Sequence, residues 1–384
     1  MLLGVDVLVK NRFRQLIGSD VALCTNYPAG ASDLSPTLEI FRKQKKFRLR
    51  SIFAPEHGLY AALQDQVKSP DRLDPKTPVL SLYGRRREPD PKILKLVDTI
   101  VIDLVDIGVR YYTFLWTAVL VIRQAARVGV KIMILDRPNP LGGRDVQGPV
   151  LEPSYFSFVG LYPIPVRHGM TIGELAGLLN GEFGIGGLIE IVKMEGWERG
   201  AYYHETGLVW PIPSPNMPGP TTAYVYPGMC LLEGTNISEG RGTTRPFELF
   251  GAPWINPEEL ADDLNREKTP GVRFRPVYFQ PTFHKYRGQL CGGIQLVIHN
   301  LPALDPFRLG LGIIKKLRRL YPRQFQWRRP PYEGERVKMP FDILAGNSWI
   351  RNALERNRPL AEIEGRWRKG LEEFINVRKK YLLY

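Results

Sequence analysis

The sequence predicts an α/β fold: a Rossmann-like, doubly wound and mostly parallel sheet, followed by a smaller α+β domain. Short apolar strands alternate with helical segments through the first half of the chain. Each of these strands ends in a polar loop rich in Gly and Pro. A chain of 384 residues is also longer than one ordinary core. We therefore expect a domain at residues 1–245 that carries most site loops, and a domain at residues 246–384 that closes the cleft.

The predicted elements of the first domain follow the apolar pattern in order. Strands are predicted at residues 21–25, 49–53, 79–83, 100–102, 131–135 and 188–194, and helices at residues 35–45, 91–97 and 115–128. Thr171 followed by Glu174 forms a capping box that opens a further helix. Ligands bind outside the carboxyl ends of strands in open α/β sheets, so polar residues after these strands should gather at one edge.

The second domain shows a different pattern, with fewer polar loops of this kind. Helices are predicted at residues 257–265 and 306–321, strands at residues 272–279 and 293–299, and a mostly helical tail at residues 343–384.

Composition limits the classes of partner. The chain has 53 Lys and Arg against 39 Asp and Glu, a formal charge of +14, which attracts anionic partners at long range. No nucleic-acid-binding module accompanies these charges, so a solvated basic surface is favoured over a nucleic-acid partner. Cys24, Cys230 and Cys291 lie too far apart for a disulfide framework or a metal motif.

The sequence also lacks recognisable motifs for cofactor binding and for targeting. Residues 184–187 lack the third glycine of a dinucleotide fingerprint, and there is no Walker loop, H-E-x-x-H or G-x-S-x-G motif. We therefore expect neither a metal nor an organic cofactor. The N-terminus lacks a charged leader with a long apolar core, and no run reaches transmembrane length. The expected location is the cytoplasm, without a membrane partner, or outside the cell if a leader has been removed.

The strongest local concentration of chemistry follows the strand at residues 100–102. Its members are Asp103, Asp106, Arg110, Tyr111 and Tyr112, with a glycine among them that allows the chain to turn. They form a candidate catalytic or binding cluster. The alternative is a structural role, in which Asp106 and Arg110 form a local ion pair and the two tyrosines are half-buried packing residues, because structural clusters and functional sites share these residue types.

Other polar loops supply similar groups. Carboxylates occur at Glu56, Asp136, Glu174, Glu233 and Glu239, arginines at Arg137, Arg167 and Arg241, and amides at Asn26, Asn139 and Asn216. Paired acids that differ in pKa, with amides and aromatic faces for a sugar, suit glycoside hydrolysis. Arginines suit a substrate that carries a carboxylate, which a guanidinium binds with two parallel hydrogen bonds.

Six motifs give this hypothesis a specific form. They are A-P-E-H-G at residues 54–58, D-x-x-D-I-G-V-R-Y-Y-T at 103–113, L-D-R-P-N-P at 135–140, R-H-G-M-T-I-G-E-L-A at 167–176, P-S-P-N-M-P at 213–218 and E-G-T-N-I-S-E-G-R-G-T-T-R-P-F at 233–247. In these motifs the chain resembles the exo-β-N-acetylmuramidase NamZ family, also known as DUF1343 and glycoside hydrolase family 171, over nearly its whole length. The resemblance implies removal of terminal β-1,4-linked N-acetylmuramic acid from peptidoglycan fragments in cell-wall recycling, without metal or nucleotide.

The resemblance also implies roles for individual residues. Glu56 is the expected general acid, with a structural loop acid as the alternative. Asp106 and Tyr112 are the other candidate catalytic residues, and Arg110 is expected to contact the carboxylate or acetamido group of the substrate. Glu239 and Arg241 are expected to close the pocket, with loop capping as the alternative for Glu239, while the capping box accounts for Glu174. The remaining candidate binding residues are Asn26, His57, Asp103, Tyr111, Arg137, Asn139, His168 and Asn216.

One position departs from the family pattern. The helix after the central motif usually carries Met-Glu-Ala in this family, and here Arg123 stands where the acid is expected. A cation there would alter the pKa of a neighbouring acid. Either Asp106 or the acetamido oxygen of the substrate fills the second catalytic role, or the protein binds muropeptides with altered or lost activity. The oligomeric state does not follow from the sequence.

Overall fold

A six-stranded parallel sheet organises the first half of the molecule in the computed structural model. The structure describes all residues except 65, 66, 68–70, 72–76 and 85. The sheet strands are β1 (Asp20–Thr25), β2 (Arg48–Ala54), β3 (Val79–Ser81), β4 (Thr99–Asp103), β5 (Lys131–Leu135) and β8 (Ile189–Val192). They lie in the order β3-β2-β1-β4-β5-β8, and all the pairings are parallel. The predicted doubly wound sheet is therefore confirmed.

Burial on both faces explains the apolar composition of the central strand. All five residues of β4 are buried. Ile100 and Ile102 belong to the hydrophobic core on one face, and Val101 belongs to the core on the other. Consecutive side chains of a strand point to opposite faces, so a strand between two helical layers must be apolar throughout.

The helices lie on both faces of this sheet and extend into the second half. Their bounds are α1 (Gly4–Lys10), α2 (Thr37–Arg42), α3 (Pro91–Leu94), α4 (Thr113–Val128), α5 (Ile172–Glu182), α6 (Pro220–Met229), α7 (Pro257–Arg266), α8 (Pro306–Leu320), α9 (Pro340–Ala345), α10 (Trp349–Glu355) and α11 (Leu360–Arg378). The capping box is confirmed, because the Thr171 hydroxyl accepts from Glu174 N and the Glu174 carboxylate accepts from Thr171 N. Helix α1 was not predicted, and the predicted helical tail is divided into α9, α10 and α11.

The remaining strands form two small antiparallel sheets. Strands β6 (Gln147–Val150) and β7 (Pro165–Arg167) form one, and β9 (Leu249–Ala252), β10 (Val272–Phe279) and β11 (Cys291–Ile298) form the other, in the order β10-β11-β9. One hydrophobic cluster includes Ile100 of the parallel sheet together with Phe307 and Leu344 of the second half. The two halves therefore pack on a shared core, and the domain boundary at residue 245 stays a prediction.

Two further observations concern the chain as a whole. Cys24, Cys230 and Cys291 are buried free thiols. Within the described part of the chain, no helix combines the length and the apolar composition needed to span a bilayer.

Candidate active site

A cavity opens where loops from the parallel sheet meet loops from the second half. The space between its atoms, including the part that is open to solvent, is about 520 Å³. Six of the predicted site residues line it: Glu56, His57, Tyr111, Tyr112, Asn216 and Arg241. The cavity is bounded by loops after β2 and β4 and by the segments at residues 214–247 and 332–333, so distant parts of the sequence form one site.

The turn after β2 presents Glu56 and His57 to the cavity. His57 and Gly58 both have positive φ angles, +68° and +74°, and a non-glycine residue in this region is held there by its surroundings. The His57 Nδ1 lies 2.7 Å from the Leu63 carbonyl oxygen, so Nδ1 carries the proton. Glu56 is only 5 % exposed, and its Oε2 accepts a hydrogen bond of 2.7 Å from Thr113 Oγ1 at the first residue of α4.

Two phenols form the adjoining wall. Burial raises the pKa of Tyr112, and the carboxylates of Asp106 and Glu56 raise it further. Burial also raises the pKa of Tyr111, whose hydroxyl donates to the Pro227 carbonyl oxygen. Both side chains are therefore neutral hydrogen-bond donors, and Tyr112 can donate without changing the charge of the cavity.

Arg241 contributes the positive charge on the opposite side. Its Nη2 lies 2.7 Å from Glu233 Oε1, and its Nε lies 3.4 Å from Glu239 Oε1. Glu233 lines the cavity, whereas Glu239 is fully buried behind it. Burial opposes ionisation of Glu239, but Lys285, His284 and Arg241 hold its pKa below the usual range. This predicted pocket residue is therefore an ionised anchor behind Arg241.

Sequence reasoning missed part of the wall contributed by the second half. Tyr332 and Glu333 line the cavity, and the Tyr332 hydroxyl lies 2.8 Å from Glu233 Oε2. Tyr226 and Phe247 add aromatic surface, and their ring centroids lie 4.8 Å apart. The signal was the sequence Y-E-G-E at residues 332–335, an acidic turn in a segment where no chemistry was sought.

Asp106 lies behind Tyr112 and is not among the described residues that line the cavity. Burial raises its pKa to about 7, although the backbone amides of Gly108 and Ile107 oppose this shift. His168 lies next to it, with Nε2 3.9 Å from Asp106 Oδ2. Burial lowers the pKa of His168 to about 3, and Met170 N donates to its Nδ1, so this ring is neutral. Neither residue occupies the substrate-facing position predicted for it.

A second predicted group forms a buried ion pair at the reversal point of the sheet, between β1 and β4. Asp103 ends β4, and Arg137 donates to both of its carboxylate oxygens, with an Nη2 to Oδ2 distance of 2.9 Å. Arg137 Nη2 also donates to the Gly30 carbonyl oxygen at 2.7 Å. Asn26 is fully buried, and its amide donates to the Pro213 carbonyl oxygen. Substrate contacts were predicted for these residues, but the described lining includes none of them.

Arg110 and Asn139 also fall outside the described lining, and their contacts explain why. The Arg110 guanidinium is fully buried and donates to the carbonyl oxygens of Pro149, Ile164 and Leu344. Burial lowers the pKa of Arg110 to about 10, so it remains charged at neutral pH. The Asn139 amide donates to Met170 O and accepts from Leu141 N. Arg110 therefore joins loops instead of facing the cavity, and its predicted role in binding the substrate is corrected.

Arg123 lies far from the cavity along α4. Thr113, the first residue of this helix, faces the cavity, and ten residues of helix span roughly 15 Å. The Arg123 side chain is 38 % exposed and pairs with Glu88, with Nε 3.0 Å from Glu88 Oε1. The cation at this position therefore does not reverse the charge of the cavity.

The described part of the chain contains no group of three or more His, Cys, Asp or Glu side chains that could hold a metal ion.

Comparison with known proteins gives a consistent result over the full length of the chain. The N-terminal model of the exo-β-N-acetylmuramidase NamZ matches residues 21–221, and the C-terminal model matches residues 224–384. The peptidoglycan β-N-acetylmuramidase NamZ of Bacillus subtilis is 44 % identical, covering 99 % of this chain and 91 % of that protein. Two crystal structures of DUF1343 family proteins from Bacteroides fragilis each cover all of this chain and 98 % of their own. Their TM-scores are 0.90 and 0.76, at 32 % and 29 % identity. The chain belongs to the exo-β-N-acetylmuramidase NamZ family.

Proposed function

We propose that this protein is a glycosidase that removes terminal β-1,4-linked N-acetylmuramic acid from the non-reducing end of peptidoglycan fragments, with Glu56 as general acid. The family supports the reaction class, and the position of Glu56 supports the role of this residue. Its carboxyl group lines the cavity, and the residue is almost wholly removed from solvent. A carboxylic acid in such a position can protonate the glycosidic oxygen as the bond breaks.

Thr113 orients this acid. Its hydroxyl donates to one oxygen of Glu56, which leaves the other oxygen for the proton and the substrate. Because Thr113 begins α4, the rigid helix fixes the hydroxyl relative to the turn after β2. Orienting a catalytic group in this way reduces the entropy lost on reaching the transition state.

Arg241 is our candidate for recognition of the lactyl carboxylate of N-acetylmuramic acid. Among the lining residues that the structure describes, it is the one with a permanent positive charge. Glu233 and Glu239 fix its position, so a substrate carboxylate would meet an oriented guanidinium. This assignment replaces the one made for Arg110, whose donors are directed at backbone carbonyls.

The aromatic wall supports binding of a sugar ring. Tyr111, Tyr112, Tyr226 and Phe247 surround the cavity, and amphipathic sugars pack their C–H faces on such rings. The neutral Tyr112 phenol is our candidate donor to the ring substituents near the bond that breaks. Asn216, whose amide donates to Gln64 at 2.7 Å, offers its remaining groups to hydroxyl or acetamido oxygens.

The cation Arg123, at a position where the family usually has an acid, is the feature that favours a protein that binds muropeptides without hydrolysing them. Its partner is Glu88, and no lining residue of the described cavity contacts it in an ion pair. We therefore favour the hydrolase.

The test is hydrolysis of a chromogenic β-N-acetylmuramide by purified wild-type protein and by Glu56→Gln. Gln keeps the size and the hydrogen bond of Glu56 but cannot donate a carboxyl proton. We expect kcat to fall about 10²- to 10⁴-fold with little change in KM. Glu195→Gln is the matched control, because Glu195 is exposed and pairs with Lys10. Absence of release by the wild type, or undiminished release by Glu56→Gln, would contradict the proposal.

A further inference from the structure

We propose that Glu333 is a second catalytic carboxylate, the base that accepts a proton from the water attacking the sugar. This inference rests on the proposed glycosidase function and assigns a role that the acid Glu56 cannot perform at the same time. Hydrolysis of a glycoside by direct displacement requires one carboxyl group protonated and one ionised on either side of the scissile bond.

Glu333 reaches the cavity from the second half of the chain. Both Glu333 and Glu56 line it, and both approach the phenol of Tyr83. The Tyr83 hydroxyl lies 3.4 Å from Glu333 Oε2, across 250 positions of sequence, and the charge of Glu56 also acts on this phenol. Tyr83 therefore lies near both carboxyl groups.

The position of each carboxyl group separates the two roles. Thr113, at the start of α4, orients Glu56, whereas Glu333 lies on a turn of the second half between Tyr332 and Glu335. Two carboxyl groups that line one cavity from different elements can act as acid and base on one substrate.

The backbone at Glu333 gives a second, independent observation. Glu333 and Gly334 have positive φ angles, +49° and +85°, and Tyr332 and Glu335 exchange backbone hydrogen bonds of 2.9 and 2.8 Å. These features define a two-residue hairpin turn with both central residues left-handed, where Asn, Asp and Gly are preferred. A glutamate at the first central position is strained, and such strain is typical of functional sites.

The turn is held against both sides of the cavity. The Tyr332 hydroxyl lies 2.8 Å from Glu233 Oε2, and Arg87 Nη2 lies 3.4 Å from the Glu333 carbonyl oxygen. These contacts fix the backbone on either side of the Glu333 side chain, so the carboxylate is presented to the cavity in a defined position.

Other carboxylates near the cavity are less suited to this role. Glu233 is already bound by Arg241 and Tyr332. Glu239 is fully buried behind Arg241, and Asp106 lies behind Tyr112. Each of them stabilises the wall, and Glu333 is the remaining carboxyl group besides Glu56 among the described lining residues.

The proposed step balances as a direct displacement. The water oxygen forms a bond to C1 of the muramic acid as the bond from C1 to the leaving oxygen breaks. Glu333 takes one proton from the water, and Glu56 gives its proton to the leaving oxygen. The products are the free sugar with inverted configuration and the shortened acceptor. Glu333 is then protonated and Glu56 ionised, and exchange with solvent restores the starting state.

The experiment compares wild type, Glu333→Gln and the matched control Glu335→Gln on the chromogenic β-N-acetylmuramide. Glu335 lies in the same turn, but its Oε1 accepts from the backbone amides of Arg336 and Val337, which Gln can also do. We expect Glu333→Gln to lose about 10²- to 10⁴-fold in kcat. Added azide, a nucleophile from which no proton need be removed, should restore turnover and yield the α-glycosyl azide. The fall in wild-type kcat at low pH should be absent from Glu333→Gln.

Several outcomes would overturn this role. A kcat of Glu333→Gln close to that of wild type excludes a catalytic carboxylate at this position, and so does a loss that azide does not restore. If NMR shows that wild type releases the β-anomer first, direct displacement is excluded. An unchanged melting temperature of Glu333→Gln shows that the loss is not due to unfolding. If wild type itself releases no sugar, the proposed glycosidase function fails, and the role of Glu333 in it fails as well. Loss of activity in Glu56→Gln but not in Glu333→Gln contradicts only the role of Glu333.

Discussion

At the scale of single residues, burial separates carboxyl groups that look equivalent in the sequence. Glu56 and Asp106 both follow parallel strands, but Glu56 faces the cavity and Asp106 lies behind a phenol. The Asp106 Oδ2 accepts from Gly108 N at 2.8 Å, which holds the loop in place. Burial favours the protonated form of this carboxyl group more strongly than the backbone amides favour the ionised form.

Asp106 should therefore make stability depend on pH. Burial raises its pKa from 3.8 to about 7, so its contribution is complete below about pH 4 and is lost as pH rises through about 7. Asp106→Asn stays neutral and keeps an acceptor for Gly108. We expect this variant to gain stability relative to wild type as the pH rises from about 5 to about 8.5. The gain is about 1.4 kcal/mol for each pH unit crossed below the raised pKa of about 7, and it levels off above that pH. Urea unfolding of both proteins at the two pH values measures their free energies of unfolding. A difference between variant and wild type that is the same at both pH values would contradict the prediction.

At the scale of elements, a few buried polar side chains fix the loops that carry the site. Arg110, between β4 and α4, donates to Pro149 of β6, to Ile164 just before β7 and to Leu344 of α9. One guanidinium thus joins the central motif to elements from both halves. Five donors in a rigid fork allow arginine, and not lysine, to make these contacts together.

Replacing Arg110 should destabilise the fold as a whole. Arg110→Met keeps the length and removes every donor, which leaves three buried carbonyl oxygens without this partner. Ile164 O keeps its hydrogen bond from Leu151 N, so the full cost of about 1–3 kcal/mol for an unsatisfied group applies to the other two oxygens. We expect a total of about 2 kcal/mol or more in the free energy of unfolding. The control is Arg123→Gln, whose half-exposed ion pair with Glu88 contributes at most about 1 kcal/mol. Similar unfolding midpoints for the two variants would refute the structural role of Arg110.

At the scale of the whole molecule, the end of the chain returns to the parallel sheet. The Tyr384 hydroxyl donates to Asp136 Oδ2 at 2.7 Å and accepts from Met194 N at 3.0 Å. Leu383 N donates to Glu174 Oε1 at 2.8 Å. These contacts connect the last residues of the second half to β5, to α5 and to the residues after β8. The two halves are therefore also held together by residues that are not among the described lining of the cavity.

Tyr384→Phe tests this connection. Removing the hydroxyl takes a partner from the buried Asp136 carboxyl group, and a hydrogen bond to a charged group contributes about 1.5–3 kcal/mol. Tyr381→Phe is the matched control, since the Tyr381 hydroxyl bonds Glu182 at 2.8 Å in an exposed position. We expect a lower melting temperature for Tyr384→Phe and almost no change for Tyr381→Phe, by calorimetry. Equal melting temperatures would show that the connection adds nothing.

The sequence by itself determined the six strands of the parallel sheet, the capping box and the family. These properties depend on local patterns: apolar runs that end in polar loops, a threonine three residues before a glutamate, and motifs of contiguous residues. The loop acid Glu56 and the phenol Tyr112 were predicted from such motifs, which lie between a strand of the sheet and the next element.

Only the tertiary structure decided which polar groups face one another. Arg110 and Arg241 look alike in the sequence, but one donates to backbone carbonyls and the other lines the cavity. Glu333 meets Tyr83 across 250 residues, and no local pattern records such a contact. Whether a charged side chain is buried as a structural tie or presented to a ligand depends on the packing of distant elements around it, which sequence spacing does not encode.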